Sequence, residues 1–277
     1  MGNALDSIIY QPPPPTYSKH DSPNLRFVKS GSEQLAVVVV ESDLDDNNRQ
    51  PPILVFYSHG NAEDLGGLEV FLRKLSRAIA IPNYCVAYDY CGYGQSTGSP
   101  SETVLFQNAE DVLTAMMTEL NIPANRVVVW GRSLGSGPTC HLAHWANHKM
   151  KKPFAGVVLL SPLLSAFRVG LRSTSYWRLP FDQFCNYERV RNGFGDKTKI
   201  FVIHGKEDNV VPFSHGKTIN DCIRDTNRYP PLFVEGAGHN DIEYMIWNDK
   251  SLRVKFGQKE LTAHVAAFIE YCFLEHE

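Results

Sequence analysis

Short runs of β-branched and aliphatic residues recur along the chain, with longer mixed segments between them. Residues 35–40, 53–56, 84–88, 126–130, 154–160, 199–204 and 232–234 are such runs, and each predicts a strand. Residues 65–79, 101–120, 135–148, 213–224 and 258–273 carry helical spacing. Strands that are apolar throughout, rather than alternating, belong to a sheet covered on both faces, and strand-helix alternation makes it parallel. The pattern predicts one doubly wound, mostly parallel α/β domain over residues 19–277. Residues 1–18, MGNALDSIIYQPPPPTYS, stand apart. Four consecutive prolines and few charges predict an extended arm, which either packs Ile8, Ile9 and Tyr10 onto the body or reaches away from it.

Composition narrows the function classes. The 277 residues are 43% hydrophobic and 21% charged, the balance of a globular enzyme-sized protein. Lys plus Arg number 27 against 30 Asp plus Glu, net −3, so no basic excess exists to neutralise phosphates and nucleic acid is not an expected partner. The longest apolar stretch, 154–164, is broken by Gly156, Ser161 and Pro162 and falls short of the ~20 residues that span a bilayer. Residues 1–18 contain no Lys or Arg, unlike a secretory signal, and the six scattered cysteines form no CxxC pair. A cytoplasmic, reducing location is expected. The first residues nearly match the myristoylation pattern M-G-x-x-x-[ST]: Gly2 and Asn3 are in place, but Asp6 stands where the pattern ends and the serine falls at Ser7. Acylation of Gly2, with peripheral membrane association through the N-terminus, and a chance match both stay open. One such chain would hold a membrane only marginally.

The chemistry concentrates after the strand 126–130. Gly131-Arg-Ser-Leu-Gly135 is G-x-S-x-G in a strand-turn-helix setting, the pattern that thrusts a serine hydroxyl out of a tight turn. Glycines stand two residues either side of Ser133 because a β-carbon there would strike the neighbouring strand or helix. A serine becomes nucleophilic only when a histidine takes its proton, and that imidazole needs an acid to fix its tautomer. In an alpha/beta hydrolase fold the order along the chain is serine, acid, histidine, the last two on loops after later strands. The strand ending at His204 is followed by both Glu207 and Asp208, and the last strand by Gly238-His239. The oxyanion of an acyl-transfer intermediate also needs donors. After the strand 53–56 come His59-Gly-Asn-Ala62, where the backbone N–H of Asn61 pairs with that of Leu134; His59 is expected to hold this loop rather than react.

These stretches, His59-Gly-Asn-Ala-Glu-Asp-Leu-Gly66, Asp89-Tyr-Cys-Gly-Tyr-Gly-Gln-Ser96, Gly131 to Gly137, His204-Gly-Lys-Glu-Asp208 and Gly238-His239-Asn240, resemble the alpha/beta hydrolase domain-containing protein 17 family. The resemblance runs over nearly the whole chain, and includes the Pro-Pro-Thr-Tyr17 entry. It implies an alpha/beta hydrolase fold and a serine hydrolase that removes palmitate from cysteines of membrane-associated proteins, with Ser133 as nucleophile, Asp208 as orienting acid and His239 as base. Its animal members carry an N-terminal cluster of palmitoylated cysteines; here the first cysteine is Cys85, and that anchor is absent.

The segment between Ser161 and Lys199 is under forty residues, so a short or absent lid and a fairly open site are expected, with one or two helices at most. Leu163, Leu164, Phe167, Trp177 and Phe181 are candidates for an apolar acyl-chain groove, although such residues commonly just pack a helix onto the sheet. His141, His144 and His148 share a helix face without a completing carboxylate or thiolate, so no metal is expected, and Gly92, Gly94 and Gly98 form no phosphate loop, so no cofactor is expected. The expected partner is an acylated protein or small acyl ester. A general carboxylesterase, lipase or peptidase is the runner-up, and a catalytically idle hydrolase fold that acts as a binding protein the alternative from another class.

Overall fold

In the computed structural model, which describes residues 9–20, 22–44, 50–175, 181–248 and 260–274, the apolar runs pair into a single sheet. Among these residues its strands are β1 (Leu25–Ser30), β2 (Glu33–Glu41), β3 (Ile53–Ser58), β4 (Asn83–Tyr88), β5 (Val127–Arg132), β6 (Gly156–Leu160), β7 (Lys199–Gly205) and β8 (Leu232–Val234). Their order is β1-β2-β4-β3-β5-β6-β7-β8. Strand β2 runs antiparallel to both neighbours, and every pairing from β4 to β8 is parallel. The helices are α1 (Leu65–Ala78), α2 (Glu102–Glu119), α3 (Ser136–His148), α4 (Ala166–Gly170), α5 (Asn186–Asn192), α6 (Phe213–Cys222), α7 (Ile242–Asn248) and α8 (Leu261–Phe273).

The continuous apolar strands are two interleaved sets, because the pleat turns successive side chains to opposite faces. Leu54, Phe56, Val127, Val129, Val157 and Leu159 enter one core, completed by residues of α2, α3, α5 and α6. Ile53, Val55, Tyr57, Val128, Trp130 and Val158 enter the other, completed by α1, α7 and α8. Each such side chain contributes roughly 1.5–3 kcal/mol by leaving water. Ser101 caps α2, its hydroxyl accepting the Val104 N–H at 3.3 Å.

Three kinds of element escape the sequence pattern. Strand β1 is an edge strand with half of its side chains toward water, so no apolar run marks it; Gly31, at φ 58°, turns it into β2. The helices α4, α5 and α7 have at most seven residues, too few to show a period. The arm takes the packed course: Tyr10 is 4% exposed and belongs to the first core, whereas Ile8 lies outside the described residues. Among the described residues no helix is long and apolar enough to cross a membrane.

The sheet sets the site. Ser58 at the end of β3 lies opposite Gly131 of β5, and Gly205 of β7 opposite Val234 of β8. The loops that follow these positions therefore rise from one edge of the sheet, its carboxyl edge.

Candidate active site

Ser133 stands at the top of β5 in a 3₁₀ turn, Ser133–Gly135, that leads into α3. Its φ is 51°, a left-handed conformation that costs a non-glycine residue roughly 1–2 kcal/mol. Close packing on both sides holds it there. A Cβ at Gly131 would fall 2.3 Å from the Gly135 carbonyl oxygen, and one at Gly135 would fall 2.0 Å from that of Ser58 and 2.6 Å from that of His59. The turn thus lies directly on the end of β3. Ser136, fully buried, donates to the Ser133 carbonyl at 2.6 Å and accepts from Leu163 N–H and Asn186 Nδ2 at 3.3 and 3.1 Å, which pins the turn to the segment after β6.

Asp208 and His239 meet. His239 Nδ1 lies 2.7 Å from Asp208 Oδ2, and the Asp208 side chain is wholly buried. The other carboxylate oxygen accepts the N–H groups of Val210 and Val211 at 2.9 and 2.8 Å. His204 adds a third side: its Nε2 lies 2.9 Å from the Val211 carbonyl and 3.3 Å from Asp208 Oδ2, so with acceptors on both sides this nitrogen carries the proton. Burial alone would push the Asp208 carboxyl up, but the hydrogen bonds from His204, His239 and the Val211 N–H outweigh it and hold it well below the usual carboxylate range. An ionised Asp208 orients His239 through Nδ1–H and leaves Nε2 as the basic nitrogen. Glu207, the other acid of this loop, uses its backbone N–H to bond the Ala237 carbonyl at 2.9 Å, which joins the acid and histidine loops.

The two halves of the site are tied by Arg132, the residue before Ser133. Its guanidinium donates to Asn240 Oδ1, next to His239, at 2.7 Å and pairs with Glu63. Glu63 in turn accepts the Gly60 N–H at 2.8 Å. One chain of polar contacts therefore links the Asn61 loop, the Ser133 turn and the His239 loop. Asn61 N–H has no acceptor among the described residues, and Leu134 is second in its 3₁₀ turn, where the N–H has no partner within the helix. Both belong to loops in contact at Gly135. His59 is fully buried, its ring tilted 36° against that of Tyr90 with centroids 4.2 Å apart and its Nδ1 2.7 Å from the Gly60 carbonyl, as befits a residue that shapes the loop.

Comparison with known proteins shows the family of the chain. The chain is 32% identical over 264 residues to human "Alpha/beta hydrolase domain-containing protein 17B", an alignment that covers 87% of this chain and 86% of that protein. The chain belongs to the alpha/beta hydrolase domain-containing protein 17 family. A second relative, "Alpha/beta hydrolase domain-containing protein aho-3" of Caenorhabditis elegans, is 37% identical over 190 residues, 68% of this chain and 53% of that one. Among solved structures the Pyrococcus furiosus esterase Pf2001 superposes with a TM-score of 0.63 at 16% identity, over 94% of this chain and 99% of that one, and shows the same fold. No protein-family model matches the chain.

The acyl-groove candidates are dispersed in the structure. Leu163 and Leu164 are 5% and 1% exposed and sit in the first core. Phe167 is half-buried, its N–H bonded to Asp182 at 3.1 Å, and Phe181 is 79% exposed. Trp177 and Gly2 lie outside the described residues. The concavity beside His239 is lined by the apolar Leu68, Phe71, Leu160, Ile242 and Leu261 together with the polar Glu63, Arg132, Asn240 and Glu243. Arg132, Glu63 and Asn240 were unassigned in the sequence because their roles are contacts between loops that no local pattern announces, and His204 because its contact with Asp208 four residues on has no motif of its own.

Proposed function

We propose that this protein is a serine hydrolase that cleaves acyl thioesters or esters through Ser133, His239 and Asp208, with palmitate on protein cysteines as the substrate that its family resemblance implies. The observation that carries the reading is the Asp208–His239 hydrogen bond of 2.7 Å, on a loop tied by Arg132 to the residue preceding Ser133. His239 Nε2 takes the Ser133 proton as Oγ attacks the carbonyl carbon. The tetrahedral oxyanion is met by the N–H groups of Asn61 and Leu134. Collapse breaks the bond to sulfur or oxygen, His239 returns the proton to the leaving group, and an acyl-enzyme remains. His239 then deprotonates water, which attacks the acyl carbon, releases the acid and restores Ser133. The cleft beside His239 offers an apolar seat for the acyl chain.

The test is a substrate panel: palmitoyl-thioester peptides, short p-nitrophenyl esters and aminoacyl amides, each with Ser133→Ala as control. Turnover of the thioester, lost in the variant together with labelling by a fluorophosphonate, is the expected result. Preference for short esters or amides would move the protein to the esterase or peptidase class, and a wild-type chain that the probe leaves unlabelled would make it a binding protein.

A further inference from the structure

We infer that the amino-terminal arm is a working part of the reaction site: residues 9–11 grip the side chain of Asn61 and so set the position of its backbone N–H toward the oxyanion. The inference rests on the reading of Asn61 as an oxyanion donor, and deepens it. Tyr10 and the Asn61 carboxamide are then positioning groups.

The carboxamide of Asn61 is held by three contacts that do not belong to its own loop. Its Nδ2 donates to the Ile9 carbonyl at 2.7 Å, and its Oδ1 accepts the Gln11 N–H at 3.0 Å and the Tyr93 hydroxyl at 2.6 Å. The arm is therefore gripped by main-chain groups on either side of Tyr10, much as one strand grips another, whatever the side chains of residues 9 and 11. Tyr10, between them, points inward. It is 4% exposed, meets Phe184 edge to face at 6.1 Å, and donates its hydroxyl to Gln183 at 2.8 Å. Phe184 occupies the space that a Cβ on Gly137 would enter, 2.2 Å away, so the anchor of the arm is the wall of α3, the helix that starts at the Ser133 turn.

The arm also holds the far end of the same loop. Thr16 N–H donates to Asp64 Oδ2 at 2.6 Å and its hydroxyl bonds the other carboxylate oxygen, and Asp64 caps α1. The Tyr17 hydroxyl bonds Asp89, whose other oxygen accepts the Leu65 N–H at 3.1 Å. The loop 59–64 is thus fastened by the arm at Asn61 and again at Asp64. A segment that merely covered the core would meet it through apolar side chains; here the arm also makes polar contacts at both ends of the loop that carries the Asn61 N–H.

Three changes test the inference in the otherwise full chain: removal of residues 1–11, Asn61→Ala, which keeps the N–H but loses the grip, and Tyr10→Ala. For each, kcat and KM on an ester substrate are measured with the rate and final extent of fluorophosphonate labelling and the melting temperature. Displacement of one oxyanion donor predicts kcat and labelling rate lower by about 10- to 100-fold, with KM little changed and labelling still complete. The truncation combined with Asn61→Ala should be no slower than the slower single change, because both break one link. Wild-type kcat in the single changes, losses that multiply in the combination, or reduced labelling extent with an unchanged rate would overturn the inference. If the truncated chain fails to fold, Asn61→Ala and Tyr10→Ala decide alone. Hydrolysis that survives Ser133→Ala would instead remove the functional reading beneath it.

Discussion

Replacing Gly135 by alanine tests the close packing on which the site depends. The added methyl would lie 2.0 Å from the Ser58 carbonyl oxygen and 2.6 Å from that of His59. Carbon and oxygen rest at about 3.3 Å, so the Ser133 turn and the end of β3 must separate by about 1.3 Å. Both obstacles are backbone atoms, and Ser58 is hydrogen-bonded into the sheet, so no side chain can swing aside to absorb the shift. The displacement moves Leu134 away from Asn61, and a misplacement near 1 Å lowers rate by about 10²-fold, or about 2.7 kcal/mol in the barrier. Overpacking should also cost about 1–3 kcal/mol of stability, at about 2–4 °C of melting temperature per kcal/mol. The assay is kcat on a p-nitrophenyl acyl ester, corrected for the folded fraction, beside a thermal melt. Gly67→Ala is the control: it is exposed in α1 with nothing within 4 Å of the new methyl, and should raise stability by about 0.5–1 kcal/mol at unchanged kcat. A Gly135→Ala enzyme with wild-type kcat, or a loss wholly explained by unfolding, would refute the reasoning.

Asp208→Asn should lower kcat by about 10³- to 10⁴-fold at neutral pH, because an amide no longer favours the tautomer with Nε2 free; stopped-time ester assays against wild type measure it. Since the folded-state pKa of Asp208 is depressed, its stabilising contribution is present above the unfolded value of about 3.9 and is lost as pH falls below it; urea melts of wild type and Asp208→Asn should therefore converge between pH 5 and pH 2. Arg132→Met severs the tie to Asn240 and Glu63, and should lower kcat about tenfold while the chain still folds, by comparison of kinetics with circular dichroism. Phe71→Ala should raise KM for long acyl substrates and leave short esters unaffected if the cleft beside His239 seats the chain.

Much of the architecture can be read from local pattern. Within the runs at 53–56, 126–130 and 154–160, residues 53–56, 127–130 and 157–160 are apolar throughout because each strand feeds two cores, and the structure shows both. The Ser133 turn is legible for a related reason: Gly131 and Gly135 are where backbone meets backbone, and only glycine fits. Strand β1 was invisible, since an edge strand with a wet face carries half the signal. An apolar pair such as Leu163 and Leu164 reads the same in the sequence whether it lines a groove or fills a core, and in the structure both are buried in the first core.

The chain's order of residues was enough to predict a mostly parallel sheet and the Ser133 turn, and to offer Glu207 or Asp208 and then His239 in the order such a site requires. Side-chain type and spacing carry that information locally. Tertiary structure alone decided that Asp208 lies between His204 and His239, that Arg132 spans to Glu63 and Asn240, and that Asn61 is gripped by residues 9 and 11. Apart from His204 and Asp208, which are four residues apart, these partners are separated by tens of residues or more and leave no periodicity behind. Hydrogen bonds between loops depend on where the sheet delivers each loop, and that follows only from the packing of the whole chain.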